Sequence, residues 1–147
     1  MNNEFIMDDT MVMEYVGEGG DVVIPHGAED IFFEAFYGAA PITSITVPGS
    51  ISELSPFVFE RCGELKVAKL CEGVSVINTF SFHDCSALEE IHLPNSLSSL
   101  KSGAIADCPS LKTIYYNGTE EEWARVDKEE GWDENTPDYE VVFCWDR

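Results

Sequence analysis

A period of 23 residues governs this chain. Ile31, Leu54, Ile77 and Leu100 lie 23 apart, as do Phe36, Phe59, Phe82 and Ile105, and as do Ile42, Leu65, Leu88 and Leu111. Three more registers keep the same beat: Ile24, Val47, Leu70, Leu93; Ala28, Ile51, Val74, Leu97; and Val22, Ile45, Ala68, Ile91, Ile114. Six apolar columns held in register over four units without an insertion indicate a solenoid, in which each unit buries its apolar face against its neighbours. The residues the repeat constrains are the ones that stack, which argues against an enzyme.

Each unit contains one alternating segment. Ser44 to Pro48, Val67 to Cys71, Glu90 to Pro94 and Thr113 to Tyr116 read out, in, out, in, the period-2 pattern of a strand with one buried face. Proline closes the segment at Pro25, Pro48 and Pro94, where its missing N–H does least harm. Strands at equivalent repeat positions run parallel and stack into a ribbon along the solenoid. The return path, with Ile51, Leu54, Val58, Phe59, Cys62 and Leu65 spaced by three or four, suits turns, a short second strand or a single helical turn. The Phe column supplies the bulk of the core, and Phe59 and Phe82 are expected to be fully buried, each ring removing roughly 150–250 Å² from water.

These residues resemble a known family. The unit from Leu65 through Ala68, Leu70, Cys71, Val74, Ile77, Ser81-Phe82 and Cys85 to Leu88, and its neighbour from Leu88 to Leu111, are similar to BspA-type leucine-rich repeats over roughly residues 21–117. The departures are Ala68 for the strand isoleucine, Cys71 for proline, Val58 and Ser81 for the alanine before phenylalanine, and Ile105 for phenylalanine. Asp21 to Pro25, after the glycines at Gly17, Gly19 and Gly20, resembles the family's entry segment. The resemblance implies interaction roles, since proteins of this kind are often surface or adhesion proteins that bind proteins of a host or neighbouring cell.

The ends read as caps. Thr119 and Glu122 fit a capping box before a helix through Glu120, Trp123 and Val126, with Gly131 as its terminator. Trp123, Val126 and Trp132 are expected to cover the last layer at Leu111–Ile114, with Val141 to Phe143 as a closing strand. Residues 4–16 alternate weakly and suggest a hairpin over Val22 and Ile24. Asn117-Gly118-Thr119 formally matches a glycosylation acceptor but reads as a turn.

Net charge is −20, unevenly placed: residues 1–60 carry 11 acids and no Lys or Arg, residues 61–113 carry 6 acids and 5 bases, and residues 114–147 carry 11 acids and 3 bases. Nucleic acid and anionic membrane surfaces are thereby disfavoured as partners, because both attract clustered cations. No stretch reaches the roughly 18 apolar residues a membrane helix needs. The first ten residues carry acids where a signal peptide needs bases, so the chain as given is expected to be cytoplasmic, or at the cell surface or secreted if a leader was removed.

Candidate chemistry is sparse. Cys62, Cys85 and Cys108 share a column with Ala39 and read as buried, reduced, structural thiols. No close Cys or His pair suggests zinc. His26, His83 and His92 fall at different repeat phases. Cys71 and His92 could neighbour each other across adjacent strands, but Cys71 stands in the proline column and lacks an orienting acid. The acids Glu120 to Glu122 and Asp127 to Glu134 read as a solvated face rather than a calcium site.

The expected architecture is an α/β solenoid of leucine-rich-repeat type: a right-handed parallel β-solenoid with 23-residue repeats, a short or irregular convex side and a C-terminal capping helix. It forms a single domain over residues 1–147, with an N-terminal cap at 1–20, four repeats at 21–113 and a C-terminal cap at 114–147. The expected function is a non-enzymatic module that binds or adheres to a protein partner, without cofactor or metal. The outward strand residues Thr46, Lys69, His92 and Tyr115 are the candidate contact surface. A structural spacer or accessory domain of a larger surface assembly is the alternative, and an enzyme of unrecognised type the third reading.

Overall fold

The computed structural model describes residues 4–145. An opening hairpin, β1 (Phe5–Asp8) and β2 (Met11–Tyr15), pairs antiparallel. β3 (Gly20–Val23) and β4 (Asp30–Ile31) form the first turn of the solenoid. The pair then recurs as β5 (Ile42–Val47) with β6 (Glu53–Leu54), β7 (Val67–Leu70) with β8 (Val76–Ile77), and β9 (Glu90–Leu93) with β10 (Ser99–Leu100). β11 (Thr113–Tyr116) leads into α1 (Glu120–Arg125) and β12 (Asp127–Lys128), and β13 (Glu140–Phe143) follows.

The longer strands make a six-stranded parallel ribbon, β3-β5-β7-β9-β11-β13. Its register carries the sequence period: Val22 pairs with Ile45, Ile45 with Ala68, Ala68 with Ile91 and Ile91 with Ile114. All five of these side chains are buried. The short strands make a second parallel ribbon, β6-β8-β10-β12, which lines up Leu54, Ile77 and Leu100 against the same core. The molecule is therefore a parallel β-solenoid, and Phe59 and Phe82 lie fully buried at its centre, their rings stacked with centroids 5.3 Å apart.

Backbone hydrogen bonds on the return side follow a fixed rule. At one set of positions the N–H closes a local turn, as Val58 does to Ser55, Glu60 to Phe57 and Cys62 to Phe59. At the alternate positions the N–H reaches the next turn of the solenoid. Phe57, Phe59 and Arg61 donate to the carbonyls of Thr79, Ser81 and His83; Phe80, Phe82 and Asp84 to those of Ser102, Ala104 and Ala106; Gly103, Ile105 and Asp107 to those of Gly131, Trp132 and Glu134. This alternation requires left-handed backbone at two phases of the period. One holds Phe57, Phe80 and Gly103 at φ of 63°, 57° and 72°, and the other holds Gly38, Arg61, Asp84 and Asp107 at 67°, 61°, 60° and 55°. Glycine adopts this region freely, and the sequence places it at one turn of each phase.

The first junction departs from the rule. The local bonds of Ala35, Tyr37 and Ala39 form as elsewhere, but the rungs that Glu34, Phe36 and Gly38 would send to the second turn are missing among the described residues. β4 likewise pairs with β2 of the hairpin and not with β6. The hairpin engages the first turn through this pairing, through a bond from the Tyr15 N–H to the Ala35 carbonyl, and through Phe5 and Tyr15, which pack on Phe36. Its hydrogen bonds thus go to β4 and the return side of the first turn, a different docking from the expected one over the strand at Val22 and Ile24.

At the other end, Thr119 caps α1 reciprocally: its Oγ accepts the Glu122 N–H at 3.1 Å while the Glu122 carboxylate accepts the Thr119 N–H at 2.9 Å. Glu120, Glu121 and Glu122 suit the positive end of the helix. Trp123 packs on Tyr116 and Trp132, and Val126 is buried, so these residues close the last layer. Gly131, however, is not the terminator. The helix ends at Arg125 because Val126 turns to extended backbone (φ −64°, ψ 129°), enters the core and lets Asp127–Lys128 pair with β10. Gly131 instead sits in a turn at φ 79°, where its carbonyl receives the Gly103 rung.

Candidate functional site

On the strand face the outward column runs Val23, Thr46, Lys69, His92, Tyr115, Val142, each paired laterally with the next. Pairing at strand spacing, about 4.8 Å, makes this one continuous surface. Its C-terminal half is an aromatic cluster. The His92 ring stacks on Tyr115 at 4.5 Å, and Trp145 packs edge-on against it at 4.9 Å. His92 Nε2 lies 3.4 Å from Glu90 while Nδ1 is buried without a hydrogen-bond partner, leaving the side chain 14% exposed. Burial, reinforced by the neighbouring Lys69 charge, lowers its pKa despite the contact with Glu90, so the ring is neutral near pH 7. Lys69, and not Cys71, faces His92 across the ladder. Cys71 stands exposed beyond the strand end.

The return face carries two features that sequence reasoning passed over. His83 links three successive turns: Nδ1 lies 2.8 Å from Glu60 Oε2 and Nε2 lies 2.8 Å from Asp107 Oδ2. Partial burial pulls its pKa down, but hydrogen bonds to both carboxylates and their charges outweigh it, so the net shift is upward. Glu60 sits one period before His83, in the same column, and that spacing was the available signal; Asp107 is offset by one residue and gave none. Phe57 and Phe80 stack beside this bridge with centroids 5.4 Å apart.

The second feature is a groove of about 510 Å³ between the first and second turns, walled by Phe33, Tyr37, Phe57 and Arg61 and floored by small residues such as Ala39. Phe33, Tyr37 and Phe57 are 45%, 75% and 43% exposed. Cys62 lines the groove and is only half-buried, unlike Cys85 and Cys108, because its column-mate turn is the one that does not close. All three thiols are free. Among the described residues no cluster of three or more His, Cys, Asp or Glu side chains is arranged to hold a metal, and no helix is long and apolar enough to cross a membrane.

The BspA type leucine rich repeat region matches residues 18–124 in six copies. The chain belongs to this family. Solved structures agree on the fold of this BspA-type chain. The pneumococcal vaccine antigen PcpA superposes with a TM-score of 0.66 at 15% identity, over 95% of this chain and 32% of its own. A leucine-rich repeat protein from Bacteroides ovatus gives 0.64 at 23% identity, over 95% of this chain and 41% of its own. A leucine rich cell surface protein from Faecalibacterium prausnitzii gives 0.50 at 20% identity, over 80% and 44%. The BspA-type chain thus spans less than half the length of each of these three proteins. A comparison with curated protein sequences gives no match.

Proposed function

We propose that this BspA-type solenoid is a non-enzymatic interaction module that binds a protein partner through the outward strand column, centred on Thr46, Lys69, His92 and Tyr115. The observation that carries the reading is the unbroken lateral pairing of that column across the ribbon, which offers successive side chains on one rigid surface. The likeness to an antigen and to a cell surface protein supports a place in a surface assembly, with adhesion as the role. Cys85 and Cys108 are buried in the core and exposed Cys71 does not face His92 across the ladder, which favours binding over catalysis. The column is about five strand spacings long, roughly 24 Å. A contact of that size gives weak binding unless copies are arrayed.

Photo-crosslinking tests the surface. A photoreactive residue at position 46 or 69, introduced in the producing cell, should give one shared protein adduct, and the same probe at Glu53 on the second ribbon should not. The triple variant Lys69→Glu, His92→Ala, Tyr115→Ala should abolish the adduct from position 46. Equal adducts from all three positions, or an adduct indifferent to the triple variant, would remove the strand column as the site.

A further inference from the structure

We propose that the groove between the first and second turns is a second docking site, and that its occupant is an extended peptide segment carrying apolar side chains flanked by Lys or Arg. Three independent observations converge there.

The first is the missing set of rungs. At every other junction of the return side the lower turn donates three N–H groups to the turn above. At the first junction the equivalent donors, Glu34, Phe36 and Gly38, lack that acceptor, and the equivalent carbonyls, Pro56, Val58 and Glu60, receive no such donor among the described residues. Backbone groups in this state recruit water or another chain, since an unpaired amide in a partly apolar site is costly. A row of donors facing a row of carbonyls is the edge that an extended peptide completes by strand addition. A compact small molecule would satisfy one or two of these groups; an extended backbone repeats at their spacing.

The second is the lining. Phe33, Tyr37 and Phe57 are large, exposed and on one groove, although aromatic rings in a solenoid have a core available to them. The groove has room for two or three side chains. Phe57 holds its outward position from left-handed backbone at φ 63°, a conformation uncommon for a bulky residue. The small residues of the floor let an incoming backbone come close.

The third is charge. The first wall belongs to the stretch of 60 residues with 11 acids and no Lys or Arg. Glu60 and Glu64 line the groove and exposed Glu34 follows Phe33 in the chain, while Arg61, the one cation among the described lining residues, reaches towards Asp84 at 3.7 Å. A net charge of −20 adds a long-range field that draws in cations and repels acidic segments.

The experiment uses the full chain and a synthetic hexapeptide alternating lysine with leucine and phenylalanine, with a second hexapeptide in which glutamate replaces each lysine. Calorimetric titration should show saturable binding of the lysine peptide that weakens with added salt, and none of the glutamate peptide. Tyr37→Ser with Phe57→Asn should weaken it about tenfold or more, asparagine being chosen because it tolerates left-handed backbone. Lys69→Glu with Tyr115→Ala on the strand face should leave it unchanged, so loss of the strand-face reading and loss of this one are separable. In the unmutated protein, saturating peptide should slow hydrogen exchange at the amides of Phe36 and Gly38, which needs no variant to fold. The proposal falls if the lysine peptide does not saturate, if the glutamate peptide binds equally, if the groove variant binds as tightly as the parent, or if exchange at Phe36 and Gly38 is unmoved.

Discussion

The junction between turns two and three and the junction between turns one and two are built from the same columns, yet they close differently. Phe59 and Phe82 stack in the interior under three backbone rungs, with both rings fully buried. Phe36 and Phe59 also touch, their ring centroids 5.2 Å apart, but among the described residues no return-side backbone rung joins their turns and Phe36 stays half-buried. The strand ribbon is continuous across both. A solenoid of this type therefore has two separable cohesive elements: the strand ladder sets register, and the return-side rungs seal the core. Where the second is absent, a groove opens over a core that remains assembled.

The sharpest way to break this comparison is to truncate a ring on each side of it. Phe82→Ala should cost about 3–5 kcal/mol, since the ring is fully enclosed and the rungs on both sides prevent collapse into the cavity. Phe36→Ala should cost less than half as much, because its ring already meets solvent and the unsealed turn can relax. Urea unfolding of both variants decides the matter; equal losses would mean that the rungs do not control how the core responds.

How legible this was in the sequence follows the same division. The six apolar columns, the strands ending at Pro48 and Pro94, and the cap at Thr119 and Glu122 all rest on local spacing, and the structure has each of them. The BspA-type family assignment rests on the same columns. The end of α1 was misread because Gly131 looked like a cap, whereas burial of Val126 and pairing of Asp127 with β10 stop the helix earlier; tertiary contacts overrode a local signal. The groove was illegible because it arises from bonds that do not form, although the apolar columns on both sides of it keep the period. His83 could have been noticed from the column it shares with Glu60, but its second partner depends on the left-handed turn at Asp107, which the period alone does not reveal.

A second, smaller test lies in the cysteine column. Cys85 and Cys108 point into the core and donate S–H to the carbonyls of Phe59 and Phe82 at 3.2 and 3.1 Å. Cys85→Ala should therefore cost about 1–2 kcal/mol through a weak hydrogen bond and a small cavity. Cys62→Ala, beside the groove, should cost less than half of that, and Ala39 already occupies the corresponding place in the first turn. Chemical denaturation reads both. Although it lines the groove, Cys62 should label slowly with a thiol reagent at neutral pH, because burial pushes its thiol up to about 12 and little thiolate is present. Cys71, exposed at its strand end, should label first. An equal cost for the two substitutions, or Cys62 labelling as fast as Cys71, would show that the column is uniform and that the first junction is as tight as the others.

The smallest expected effect concerns the two histidines, which sit on opposite faces and are shifted in opposite directions. His83 gains two carboxylate partners on folding, and its pKa rises above the ordinary value near 6.5. Its contribution to stability is therefore fully present below that unfolded value and disappears as pH rises through the folded one. His92 loses water on folding and its pKa falls, so its contribution is present when the ring is neutral and disappears as pH drops. His83→Gln preserves a polar group between Glu60 and Asp107 but removes the charge. The stability difference between parent and variant, followed by urea unfolding from about pH 5.5 to about 9, should be up to about 1 kcal/mol at the acidic end and fade towards the alkaline end. His92→Gln should show the reverse slope. If His83→Gln instead gives a constant offset across that range, the bridge holds the three turns together through its geometry alone, and the rungs beneath it carry the seal without electrostatic help.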